Sequence, residues 1–166
     1  MSRFALLPAV LFAIGSSACA DDVLLAGYVQ RVILQPSETG DCPSPCAAEF
    51  AGQPNAAQRV CVSNAGGCQT MEVKVDQVYR GQAEGSRTFR ARIGEWGPSF
   101  PLTRQRIVVS EDNGNVSWSL ATMRDGRVFI DPKQMRRIGG VTTAPEGKDD
   151  ELVALDDILA RADAMR

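Results

Sequence analysis

The chain has no histidine, and only three of its 166 residues are lysine. Without an imidazole there is no Ser-His-Asp triad, no His-ligated metal and no histidine titration near neutral pH. A hydrolase would have to rely on Ser-Lys, a carboxylate pair, or a cysteine with some other base. None of Lys74, Lys133 and Lys148 has a serine at the S-x-x-K spacing. The adjacent acids Asp21-Asp22, Asp149-Asp150 and Asp156-Asp157 fall at a terminus or on a helical segment, where sequence neighbours do not face one another. Gly66-Gly67 and Gly139-Gly140 lack the surrounding pattern of a phosphate loop. Asp112-Asn113-Gly114-Asn115 reads as a turn rather than a calcium loop. Aromatic residues are scarce as well, at 6%. Single-stranded nucleic acid needs aromatics above a basic groove, and the net charge is −2. No nucleic-acid partner, no cofactor, no metal and no catalytic residue are expected.

What is present begins with an address. Arg3 precedes an apolar stretch from Phe4 to Ile14, and Gly15-Ser16-Ser17 lead into small residues. Residues 1–20 read as a cleaved secretory signal, too short for a permanent span. Ala18-Cys19-Ala20 is an A-x-A site that releases a soluble chain starting at Asp21. Cleavage one residue before Ala20, ahead of Cys19, would instead expose a thiol for lipidation, although Ser16 stands where that reading needs an aliphatic residue. The protein is thus periplasmic or secreted, with a lipoprotein anchored at Cys19 as the alternative.

Removing the signal also removes Cys19 and leaves Cys42, Cys46, Cys61 and Cys68. An even number in an oxidising compartment implies two disulfides. The spacing lacks the C-x2-C knuckles of a zinc ribbon, and Cys42-Pro-Ser-Pro-Cys46 has one residue too many for a redox pair. Of the three connectivities, the nested one, Cys42–Cys68 with Cys46–Cys61, staples an excursion between two strands. That excursion, residues 35–69, carries four prolines and four glycines and is otherwise too long for a compact domain. Ala47-Ala48-Glu49-Phe50-Ala51 adds a helical turn within it.

The body of the chain reads as β. Leu24 to Leu34 forms a first strand ended by Gln35-Pro36. Met71, Val73 and Val75 alternate with Glu72, Lys74 and Asp76, and Phe89, Ala91 and Ile93 alternate with Arg90 and Arg92. Asn113-Gly114 and Asp125-Gly126 are two-residue hairpin turns. The first pairs Val109 with Trp118 and Ile107 with Leu120; the second pairs Met123 with Val128 and Ala121 with Ile130. The apolar faces of these hairpins are opposite, so a bulge intervenes or the strand is covered on both sides. Ile138 to Gly147 reads as a linker. Asp149 to Met165 reads as an amphipathic helix, with Leu152, Leu155, Ile158, Leu159 and Ala162 packed on the sheet.

Together these patterns suggest a small five-stranded OB-like barrel over residues 21–140, with residues 141–166 as linker and C-terminal helix. The phrase Met71-Glu-Val-Lys-Val-Asp-Gln-Val-Tyr-Arg-Gly81 resembles the strand ending V-x-x-V-[YF]-[KR]-G of netrin-like domains and tissue inhibitors of metalloproteinases. The resemblance implies an OB-type barrel and a tendency to bind proteins. Those inhibitors chelate zinc through an N-terminal Cys with a second Cys two residues on. Asp21 stands at that second position after Cys19, so metalloproteinase inhibition does not transfer.

Two surface features remain. Residues 71–140 hold 12 Lys+Arg against 8 Asp+Glu, and residues 141–166 hold 3 against 7. Either the acidic helix neutralises the basic sheet, or arginines such as Arg87, Arg90, Arg92, Arg104 and Arg106 face an acidic protein or an anionic envelope component. In Gly94 to Pro101, Trp96 and Phe100 form an aromatic contact patch, or else Trp96 is the buried cap of the barrel end. The expectation is an exported, non-enzymatic binding module, an inhibitor or an envelope accessory protein, with Trp96, Phe100, Arg90, Arg92, Arg104 and Arg106 as its patch. The alternatives are a small secreted hydrolase independent of histidine and a lipid-anchored structural component.

Overall fold

Val23, Leu24, Leu25 and Ala26 are apolar without alternation, the pattern of a strand covered on both faces. The computed structural model, which describes residues 22–44, 65–94, 99–144 and 150–165, shows why. The first strand, β1 (Val23–Gln35), is the centre of a five-stranded antiparallel sheet. Its neighbours are β2 (Ala65–Arg80) and β4 (Arg106–Asp112), followed outward by β3 (Ser86–Gly94) and β5 (Asn115–Leu120), in the order β3-β2-β1-β4-β5. Leu24 and Ala26 enter one core, with Val108, Met135, Ile138, Leu155 and Ile158. Val23 and Leu25 enter the other, with Met71, Val73, Phe89, Phe100, Ile107 and Val109. One strand therefore serves two cores through its two faces.

The first hairpin forms as its sequence dictates. Asn113 (φ 50°) and Gly114 (φ 77°) supply the positive φ that a type I′ turn needs, and Val109 pairs with Trp118 and Ile107 with Leu120. The second hairpin joins β6 (Thr122–Arg124) to β7 (Arg127–Ile130), with Met123 opposite Val128. Between them Ala121 N–H still donates to Arg106 O, after which the chain leaves the large sheet. The reversal of the apolar face is a change of sheet, and the expected Ala121–Ile130 pair is not among the pairs of β6 with β7.

Three expectations are corrected. Residues 138–147 are not simply a linker, because β8 (Arg137–Ile138) and β9 (Val141–Thr142) form a small hairpin about Gly139-Gly140. Gly139 takes the left-handed conformation that this turn needs, with φ +54°, and a Cβ there would displace the end of the Arg80 side chain, whose Nη1 lies 1.8 Å away. The helix is shorter than read. Val153 and Ala154 form β10, paired with Ile130 and Phe129, and α1 spans Leu155–Asp163. Sheet pairing captures the segment before helix can, leaving Leu155, Ile158 and Ala162 as its buried stripe. The excursion also ends earlier than expected, since β2 begins at Ala65 and Cys68 lies opposite Gln35 inside the sheet.

Cys68 is bonded to Cys42, with Cα atoms 5.6 Å apart, as the nested connectivity requires. Cys19, Cys46, Cys61, the turn over 47–51 and Trp96 lie outside the described residues, as does the signal segment. The sheet is not closed into a barrel. Its edges β3 and β5 approach one another without a ladder between them. Ser99 and Phe100 bridge that seam: Phe100 N–H donates to Gln69 Oε1 at 2.7 Å, and Trp118 Nε1–H donates to Ser99 O at 3.2 Å. Among the described residues no helix is long and apolar enough to cross a membrane.

Candidate binding groove

The basic and acidic halves of the chain meet within the molecule. Arg127 donates to both Asp156 and Asp157 on the first turn of α1, at 2.8 and 2.6 Å. That hydrogen bond, with the guanidinium charge behind it, holds the Asp156 carboxyl below its ordinary range. Arg80, largely buried, lies 3.5 Å from Asp163. Lys133 pairs with Asp150 and lowers the pKa of that carboxyl in the same way.

The arginines singled out from sequence do not gather into one patch. Arg90 pairs with Asp41, and Arg92 Nη2–H reaches Ser44 O at 3.4 Å; both flank a cavity of about 300 Å³ beside the Cys42–Cys68 bridge. Arg104 is exposed in the segment before β4. Arg106 is largely buried, donating to Asp76 Oδ2 at 2.7 Å, Gln77 Oε1 at 3.0 Å and Met123 Sδ at 3.4 Å. Its place is structural: it ties β2 to β4 and to the start of the second hairpin. The neighbouring Tyr79 is shielded from water, which raises its phenol pKa despite the opposing pull of Arg106. Phe100 is core, 5% exposed.

A larger groove, about 910 Å³, runs along β5. One wall is the strand itself. The turn bond from Asn115 N–H to Asp112 O makes Asp112–Asn115 a hydrogen-bonded pair. Antiparallel pairs alternate, so Ser110–Ser117 and Val108–Ser119 are also hydrogen-bonded, whereas Glu111–Val116, Val109–Trp118 and Ile107–Leu120 are not. The N–H and C=O of Val116, Trp118 and Leu120 therefore point away from β4. Two bonds check this register independently. Ala121 N–H turns inward to Arg106 O, and Leu120 N–H turns outward to Gln134 Oε1 at 3.4 Å. Val116 and Trp118 have no corresponding backbone partner among the described residues.

The opposite wall is the turn after β7. Asp131 takes Lys133 N–H on its carboxylate and Gln134 and Met135 N–H on its carbonyl, while its own N–H donates to Ser119 Oγ. Met135 is fully buried, and Thr143 Oγ1–H donates to Met135 O at 2.6 Å. This rigid turn presents Lys133, Arg136 and Arg137 to the groove. Arg137 Nη2–H donates to Gly140 O. Arg136 is exposed and its side chain has no partner among the described residues. Ser110 and Ser117 line the groove, and Trp118 also borders it.

The expected patch omitted Lys133, Arg136 and Arg137. A signal existed: three cations lie within five residues after a turn-forming Asp131-Pro132. What identifies them as a wall is the neighbouring strand edge, which depends on topology. Comparison with protein-family models, curated proteins and solved structures finds no match for the chain.

Proposed function

We propose that this chain is an exported, non-enzymatic binding module that holds an anionic partner in the groove between β5 and the 131–137 turn, in an inhibitory or accessory role in the envelope. The observation that carries the reading is the pairing of walls. A strand edge whose outward main-chain groups at Val116 and Trp118 have no backbone partner among the described residues faces three cations on an anchored turn, and of these Arg136 has no side-chain partner among the described residues. The Cys42–Cys68 bridge supports an oxidising compartment. The strand order, with β3 and β5 adjoining, supports an OB-type barrel open along one seam.

The test is binding of fluorescein-labelled decaglutamate, followed by anisotropy at low salt. The expected result is saturable binding that weakens with salt and falls at least tenfold in Arg136→Glu. Arg31→Glu, at an exposed arginine paired with Glu72, is expected to bind as the wild type does. Equal binding by the wild type and Arg136→Glu would remove the groove from the reading.

A further inference from the structure

We infer that the partner is an extended protein segment of alternating acidic and apolar residues, added to β5 as a sixth strand. The inference rests on the binding-module reading and specifies how the groove is used. A free sheet edge is a template for another strand, and proteins use such edges to bind extended peptides: main-chain bonds provide affinity, and alternate side chains provide specificity. The outward N–H and C=O groups of Val116 and Trp118 offer such bonds. At Leu120 the position is already taken, because Gln134 supplies an amide oxygen in the place of a peptide carbonyl. Among the described residues the free stretch thus runs from the hairpin turn to Trp118, on the side of β5 where β3 approaches without a ladder, enough for a segment of about three to five residues at about 3.4 Å per residue.

The faces of β5 dictate the alternation. Ser117 and Ser119 share a face with Ser110, and the 131–137 turn lies on that side, since Asp131 N–H donates to Ser119 Oγ. Side chains of an added strand on this face meet Arg136 and Arg137, and carboxylates suit them. Val116 and Trp118 project to the opposite face, against the Phe89 core. Apolar side chains suit that face. Pairing with the β5 strand of a second copy does not meet the requirement, because Asn115–Leu120 carries no charged residue for Arg136.

The test uses an acetylated, amidated peptide, Glu-Val-Glu-Val-Glu-Val-Glu, titrated into the full mature protein. Two modified versions carry N-methyl groups on all valine amides or on all glutamate amides. In a strand, alternate amides point to opposite sides, so only one version blocks the bonds to β5. The expected result is at least tenfold loss for one N-methylated peptide and near-parental binding for the other. Val116→Pro removes one outward donor without touching the β4–β5 ladder, a substitution an edge strand accepts, and is expected to lose binding tenfold while staying folded. If both N-methylated peptides bind equally, strand addition is wrong; decaglutamate binding that still depends on Arg136 would then leave the anionic groove standing. A chain that dimerises, and is made monomeric by Val116→Pro, would overturn the inference in favour of a second copy on β5.

Discussion

A variant with both Cys42 and Cys68 replaced by alanine is expected to unfold with about 3.5 kcal/mol less free energy than the parent, and roughly 10 °C lower. The figure follows from the sequence separation of 26 closed by the bridge and the chain entropy released when it is opened. The structure gives the bridge more than a statistical role. Cys42 is buried at the end of a tight turn, where Glu38 N–H donates to Cys42 O and Cys42 N–H donates to Thr39 O. Cys68 lies inside β2 opposite Gln35, so the bond fastens the segment leaving β1 back onto the sheet. Replacing both residues avoids a free thiol and leaves Cys46 and Cys61 in place. Denaturant unfolding under oxidising conditions measures the effect. A loss below about 1 kcal/mol would mean that the excursion is held by other contacts.

The second large effect is expected at Phe89, where alanine should cost about 3–5 kcal/mol. Phe89 is fully buried on β3, opposite Met71, and fills the core that Val23, Leu25, Val73, Phe100 and Val109 also line. The Arg87 guanidinium lies 5.7 Å from the ring centroid and pairs with Glu111 across the sheet at 2.8 Å, closing the core from outside. Guanidinium unfolding of Phe89→Ala should show a lower midpoint with little change in slope. A cost below about 1.5 kcal/mol would show that Phe100 and its neighbours move to fill the space.

The local patterns translated well into structure where one face or one turn decided them. The alternation at Met71–Asp76 and Thr88–Ile93 gave strands, and Asn113-Gly114 gave both the turn and the register from which the outward groups of β5 follow. The same turn logic applies to Gly139-Gly140, which reads as a linker only because its flanking strands are two residues each. Val153 and Ala154 lie inside the span whose apolar spacing reads as helix, and their strand partners Ile130 and Phe129 are more than twenty residues away. Arg106 and Phe100 look like surface residues in sequence because neither a buried ion pair nor a seam between two sheet edges leaves a local mark. The groove was illegible for the same reason. Lys133, Arg136 and Arg137 become a wall only when β5 proves to be an edge, and edges are a property of strand order.

The claim on which the functional reading stands is that β5 offers a free main-chain edge to this cationic turn. Amide hydrogen exchange, resolved along β5 in the unliganded protein, tests it directly, because protection there reports hydrogen bonding residue by residue. The account predicts alternation: slow exchange at Ser117 and Ser119, whose amides bond to β4, and fast exchange at Val116 and Trp118. Uniform protection of all four amides would contradict it, since the edge would then already be paired.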